Sequence, residues 1–308
     1  MGTRVWAALA TVYVVWGSTY LGIMLAIRTV PPFLMSATRF AIAGSLLYAW
    51  SIRRGDRQSD QPGRRQWLAA TIVGGGLLVA GNGGIAWAEQ RVDTGLAALI
   101  VAGVPVWFAL FDSLLHRRRP SGRVIFGLVV GLAGIAFLVG PSGQVDPIGA
   151  AAVLCGSLCW VGGSLYAIRA PLPSRPLVGA SMQMLAAGAL LTILGVGTGE
   201  LGELQTPSLE SVGALTYLIA IGSLVAFSSY IWLLGNAPPT LVSTYAYVNP
   251  VVAVVLGALF LGEAVTPQML LAGGAIVVAV ALIVTARAPA PRVRRLERRP
   301  EPGLEQAA

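Results

Sequence analysis

One histidine, His116, and two cysteines, Cys155 and Cys159, are all the soft ligands this chain offers for metal binding or covalent chemistry. The cysteines stand four apart on one apolar stretch with no His or third Cys beside them, so no metal site is expected and the thiols read as buried and inert. Neither HExxH nor GxSxG occurs. A membrane-embedded enzyme would need a clustered nucleophile, base or metal set, and no catalytic residue or cofactor site is expected. Of the carboxylates, Glu89, Asp93 and Glu263 fall near helix ends that the arginines place outside, and Asp112 falls near an inner end, one turn before His116. None lies mid-span. Exporters that trade protons for lipophilic cations rely on a buried carboxylate whose desolvation raises its pKa. The lack of an obvious one favours neutral, zwitterionic or anionic solutes. Glu263 also fits an interhelical or capping role beside Thr266 and Pro267, and Asp112 with His116 fits an interfacial pair amid Arg117–Arg119.

The polar residues inside apolar runs carry more information, because each is costly in lipid unless it is paired or faces a cavity. Arg39 lies about seven residues into the second run, on the order of 10 Å deep at 1.5 Å per residue. It can bind helix carbonyls or reach back to the interface, or it can fix the carboxylate or phosphate of a substrate. Asn82, within Gly81–Asn82–Gly83–Gly84, is open between an interhelical hydrogen bond and a substrate contact, while the surrounding glycines fit close helix packing. Pro105 and Pro250 sit at matching mid-span points, each removing a backbone hydrogen bond and favouring a kink. Just before Pro250 come Ser243, Thr244, Tyr245, Tyr247 and Asn249, a stripe expected to face the interior. Interfacial anchoring competes as the reading for Tyr245, Tyr247, Trp87 and Trp107. Trp16 and Trp160, near mid-span, are candidate cavity walls, and Tyr20 and Gln183 complete the set of candidate substrate contacts.

These residues need a bilayer to position them. With 56% hydrophobic residues, 11% charged and a mean hydropathy of +0.74, the chain is that of an integral membrane protein. Runs long enough to span lie near 4–27, 33–52, 67–88, 94–115, 122–141, 147–168, 176–197, 211–235, 239–262 and 267–286. All 21 basic residues are arginines, and with both termini cytoplasmic eighteen of them fall inside and only Arg28 and Arg91 outside, Arg39 lying within a span. The same bias explains the net charge of +8 as membrane anchoring. It excludes nucleic acid as the partner, since the arginine clusters lack interleaved aromatics and a folded domain to present them. Arg4 ahead of the first run resembles a signal peptide, but no small-residue cleavage site follows, so an uncleaved first helix is expected. Trp6 stands where myristoylation needs Ser or Thr. The polar segment 288–308 is expected to be a disordered cytoplasmic tail.

The pattern also repeats. Trp16 answers Trp160, Arg39 answers Gln183, Gly44 answers Gly188, Trp87 answers Trp232 and Pro105 answers Pro250, at offsets of 144 to 145 positions. Two repeats, 1–143 and 144–287, each with an odd number of spans, must enter the bilayer in opposite senses. Such inverted repeats give two nearly equivalent states around a site at their interface, the arrangement of secondary transporters. The expected fold is therefore all-α, ten transmembrane helices in two inverted five-helix repeats, moving a small molecule by alternating access. A non-transporting scaffold or sensor is the competing class, and Gly127 and Gly131 offer either a homodimer contact or plain internal packing. Polar mid-span residues would be wasted in a scaffold.

The stretches VVWGSTYLGIMLAI, VPPFLMSATRFAIAG, GNGGIAWAEQRVDTGLAALIVAGVPVW and PTLVSTYAYVNPVVAVVLGALFLGE resemble EamA-type members of the drug/metabolite transporter superfamily. The resemblance spans 4–286 and is nearest to inner-membrane permeases whose third helix ends in WAEQ. It implies a ten-helix bundle with cytoplasmic termini, a central cavity lined mainly by helices 1, 3, 4, 6, 8 and 9, and export of amino acids, metabolites or drugs, with lipophilic-drug efflux as the alternative. One departure is visible. The fourth helix ends in DSLLHRRRPS where the ninth ends in LFLGE, so no acidic role can be two-fold symmetric.

Overall fold

The structure, a computed structural model, describes residues 2–54, 62–115, 121–139, 145–237, 242 and 245–285, and among these it contains helices and no strand. The expected tail, His116, Arg117–Arg119, Ser243 and Thr244 lie outside the described residues. The helices fall where the apolar runs do: α1 (Thr3–Ile27), α2 (Pro32–Arg53), α3 (Arg64–Ala88), α4a (Thr94–Val101), α4b (Val104–Leu115), α5 (Gly122–Val139), α6 (Pro147–Ala167) and α7 (Pro176–Gly197). They continue with α8, built from Leu209–Tyr217, Leu218–Phe227 and Ser228–Asn236, then α9, from Tyr245–Leu256 and Gly257–Leu261, and α10 (Pro267–Thr285). Among the described residues five stretches are long and apolar enough by themselves to cross a bilayer: α1, α3, α6, α7 and Leu209–Leu233 of α8. Shorter apolar helices occupy α4, α5, α9 and α10.

Helix starts follow local rules. Proline occupies the first turn of α2, α6 and α7, where its missing N–H would have had no partner. Asp146 caps α6 by accepting the Gly149 N–H at 2.7 Å, and Ser208 caps α8 by accepting that of Ser211 at 3.1 Å.

Packing interleaves the two halves. α2 lies along α7, and α5 along α10, each helix against its own repeat mate. At the first crossing Gly44 and Gly188, repeat mates themselves, admit the opposing backbone. A Cβ at Gly44 would stand 2.9 Å from the Leu185 nitrogen, and one at Gly188 would stand 3.0 Å from that of Ala41. α1 packs into the second half against α8 and α9, and α6 packs into the first half against α3 and α4. Gly131 of α5 faces Val106 and Ala279 of its own chain, the internal contact that its spacing also allowed. Cys155 and Cys159 correct an expectation. Both thiols are free and exposed, on the side of α6 away from buried Val153, Gly156 and Ser157. That side faces outward, where a weakly polar thiol costs little in lipid.

Candidate functional site

Among the described residues three helices change pitch, α9 at its end over Gly257–Leu261 and the other two where the interleaved helices meet. α3 widens to a π-helical stretch over Gly75–Gly83, and α8 does so over Leu218–Phe227. The two stretches begin at nearly equivalent repeat positions. A π turn shifts the side chains that follow it and frees backbone groups, which is why such turns gather at functional sites. Here both stretches border one cavity, reached also by α1, α2, α4, α6 and α9.

One wall is aromatic. The Trp16 ring meets its repeat mate Trp160 edge-on at 6.0 Å and Tyr245 edge-on at 5.0 Å, with Tyr230 tilted against it at 4.8 Å. Trp16, Tyr20, Trp160, Tyr245 and Asn249 all border the cavity. The Asn249 amide, turned so that its nitrogen faces acceptors, donates to the carbonyls of Tyr245 at 3.2 Å and Tyr13 at 3.1 Å, which ties α9 to α1.

The opposite wall is cationic and polar. Arg39 is only 5% exposed, its guanidinium lying 5.0 Å from the Phe40 ring centroid and its Nε donating to Ser223 Oγ at 2.9 Å. Its Nε is thus spent on a side chain of α8 and not on a helix carbonyl. Among the described residues no carboxylate lies within ion-pair distance of it, and the two ion pairs, Arg28–Glu210 and Arg91–Asp146, lie elsewhere. Asn82 borders the same cavity from the π stretch of α3.

Other candidates fall away from this space. Gln183 is buried in the α7–α3 contact, where its own carbonyl abuts Gly74 and its side-chain oxygen has no partner among the described residues. Trp107 lies in α4b, outside the cavity lining, with a buried indole N–H that likewise has no partner among the described residues. Tyr247 belongs to α9, but its side chain lies outside the described residues, as does that of Asp112. Pro105 is the second residue of α4b, just past the break at 102–103, whereas Pro250 sits inside α9. The matched prolines thus occupy different settings, and the matched interruptions are the π stretches of α3 and α8.

The carboxylates near the expected outer end differ in setting. Glu263, following α9, accepts from the Thr94 N–H at 2.9 Å, the Thr94 hydroxyl at 2.7 Å and the Gly95 N–H at 3.2 Å, so it caps α4a across the two halves. Glu200, in a 3₁₀ turn after α7, accepts from the N–H groups of Phe33 at 3.0 Å and Leu34 at 2.8 Å and caps α2 in the same way. Asp93, at the start of α4a, has its carboxyl raised by partial burial and by the Glu263 charge. Glu89, the residue after α3, is 1% exposed, and neither of its oxygens has a hydrogen-bond partner among the described residues.

The model of the EamA-like transporter family matches residues 4–140 and again 147–285. The chain belongs to the EamA-like transporter family. It is 40% identical over 278 residues to the inner membrane transporter YedA of Escherichia coli (strain K12), covering 90% of this chain and 89% of that one. A transporter of Archaeoglobus fulgidus is 25% identical over 297 residues, covering 93% and 99%. One crystal structure superposes with a TM-score of 0.62 at 22% identity, over 92% of this chain and 96% of that chain, which shows a shared fold.

In this EamA-like transporter several cavity residues carry no signal of their own in the sequence. Ser223 is a single hydroxyl in an apolar run, and its repeat mate is Val79, so the repeat comparison passes over it. Thr19 and Ser157 spend their hydroxyls on the carbonyls of Trp16 at 2.6 Å and Val153 at 2.8 Å and read as ordinary helix residues. Outside the cavity lining, the Tyr217 hydroxyl shares a 2.6 Å hydrogen bond with Ser18 Oγ that joins α8 to α1.

Proposed function

We propose that this protein is a secondary transporter, an exporter, which carries small polar metabolites such as amino acids or organic acids across the inner (plasma) membrane. It alternates access between two inverted five-helix halves, with ten spans and both termini cytoplasmic, as the arginine distribution supports. The observation that carries the substrate class is Arg39: a buried guanidinium at the wall of a cavity, positioned by Ser223 and facing no carboxylate among the described residues. A desolvated cation of this kind favours an anionic group on the solute, bound through its charge-assisted donors. The Asn82 amide supplies a second polar contact, and the ring wall of Trp16, Trp160 and Tyr245 covers the solute's apolar part. The break before Pro105 and the proline inside α9, Pro250, serve as hinges of the rocking motion.

The aromatic wall also favours a second reading, efflux of lipophilic compounds, in which ring stacking and not Arg39 selects the solute. Thermal stabilisation of the purified protein by amino acids, small organic acids, nucleosides and cationic drugs separates the two. A ligand at one hundred times its Kd stabilises by about 2.7 kcal/mol. Stabilisation by an acid that weakens roughly 10- to 100-fold in affinity in Arg39→Gln, the scale of one charge-assisted hydrogen bond, supports the metabolite reading. Stabilisation confined to lipophilic cations and insensitive to Arg39→Gln overturns it.

A further inference from the structure

Arg39 needs a counter-charge at every stage of a transport cycle, including those in which no solute is bound. A guanidinium keeps its proton at any physiological pH, and this one is nearly sealed from water. The groups packed around it are neutral. Its Nε donates to Ser223 Oγ at 2.9 Å, and its face lies 5.0 Å from the Phe40 ring centroid. The Tyr217 phenol of α8 also acts on it but is uncharged at neutral pH. Among the described residues bordering the cavity, the other ionisable groups are the phenols of Tyr20 and Tyr245, and no carboxylate is present.

The space beside the guanidinium is kept by a glycine. A Cβ at Gly222, in the π-helical stretch of α8, would stand 3.2 Å from an Arg39 terminal nitrogen and 3.2 Å from the Thr19 methyl. Among the described residues the terminal nitrogens take part in no hydrogen bond, so Ser223 holds the inner nitrogen and the outer ones remain available to a ligand. A desolvated charge without a partner is far more costly than a paired one. The solute's anionic group supplies the partner while the solute is bound. After release, and during the return of the cavity across the membrane, another anion must supply it.

We infer that the Arg39 pocket is a small-anion site, filled in turn by the anionic group of the solute and by an inorganic monovalent anion, chloride, so that the protein exchanges one for the other. The inference rests on the alternating-access reading and adds the counter-ion to it. Solute leaves at the outer side, chloride takes its place at the guanidinium, the cavity returns, and at the inner side the next solute displaces the chloride. For a solute with one net negative charge, one charge moves each way and the cycle carries no net charge. A cavity holding no anion does not make the return, since closing it would strand Arg39. Chloride fits where sulfate or hydrogen phosphate does not, because a second negative charge would find no second cation in the lining. It also occupies only the Arg39 end, leaving the ring wall of Trp16, Trp160 and Tyr245 to the solute.

The site is tested first without solute. Thermal unfolding of the full-length protein is followed as sodium chloride replaces sodium HEPES, a bulky sulfonate, at constant ionic strength and pH. The expected result is saturable stabilisation, half-maximal on the order of 0.1 M chloride, the affinity open to a ligand of one atom. It should vanish in Arg39→Gln and weaken roughly 2- to 10-fold in affinity in Ser223→Ala, which keeps the charge but removes the hydroxyl that holds it. A wild-type protein indifferent to chloride, or a response undiminished in Arg39→Gln, overturns the proposal. The wild-type titration decides the first point even if a variant fails to fold.

The exchange is tested in proteoliposomes loaded with a mixture of amino acids and organic acids and diluted, at clamped membrane potential, into chloride or into HEPES. Mass spectrometry of the external solution should show a component leaving about tenfold or more faster into chloride, because closure over an unpaired arginine is the step that chloride relieves. Efflux equal in the two solutions overturns the exchange while transport stands. Absence of efflux for every component, from protein that chloride still stabilises, overturns the transport reading while the anion site stands.

Discussion

Glu263 and Glu89 are close enough for one charge to act on the other, yet the fold treats them oppositely. Glu263 receives the first backbone donors of α4a together with a hydroxyl, and so joins the end of one repeat to the start of a helix in the other. Glu89 receives none. The same functional group is a structural staple in one place and an unsatisfied acid in the other. Helix N-termini want anions because their donors are unpaired and their dipole is positive. The end of α3 presents the opposite pole, with carbonyls and no free N–H, so an acid there finds nothing to bind.

The largest effect expected from this contrast is on pH dependence. Glu89 has a folded-state pKa above its ordinary value of 4.5, so the folded protein binds more protons than the unfolded chain above that pH. Its contribution is complete below 4.5 and is lost as pH rises toward the folded value. The loss amounts to as much as about 1.4 kcal/mol per pH unit. Thermal unfolding in detergent between about pH 5 and about pH 8 should show stability declining in the wild type and a shallower slope in Glu89→Gln. Equal slopes would mean that Glu89 is no different from its neighbour.

Truncating the staple comes next. Glu263→Ala leaves the Thr94 and Gly95 N–H groups without their acceptor and should lower stability by about 1–3 kcal/mol, whereas Glu263→Gln, which keeps an acceptor oxygen, should lose less. A Glu263→Ala protein as stable as the wild type would remove the cap from the account. Glu200→Ala tests the same device at α2 and should cost about 1 kcal/mol by the same measurement. The smallest change is expected for Arg28→Ala. Its partner Glu210 is a surface group like itself, and the pair contributes about 0–1 kcal/mol, to be read as the salt dependence of the same transition.

Much of the scaffold was written plainly in the chain. The apolar runs at 147–168 and 176–197 match α6 and α7 to within a residue, because lipid demands an unbroken apolar helix with its backbone satisfied internally. The repeat offset also carried a three-dimensional fact: Trp16 and Trp160 touch. Finer placement was lost where two sequence features share one physical cause. A buried polar group can serve a cavity or a helix crossing equally well, so Arg39 reaches the cavity while its mate Gln183 lies in the α7–α3 contact. Proline announces a helix break, but the π stretch in α8 has no comparable mark. Leu218–Phe227 is ordinary apolar sequence, and the neighbours it packs against, α1 and α2, are far from it in the chain. Glu89 appeared as one of several acids at a helix end, since its solitude depends on partners from α1 and α9 that only the folded chain brings together.

The interleaving of the halves has a consequence for how the molecule is made. α1 leaves the ribosome first, yet the helices it packs against, α8 and α9, lie some two hundred residues downstream in the chain. Until they arrive, the Ser18 hydroxyl of α1, which pairs with Tyr217 of α8, has no permanent neighbour and must be sheltered by the insertion machinery, by lipid or by provisional contacts. Completion of the cavity is thereby deferred until α8 and α9 have been made. A nascent chain halted before α8 would hold Arg39 without Ser223 and Trp16 without Tyr245. Truncated products of this kind should be ready substrates for membrane quality control.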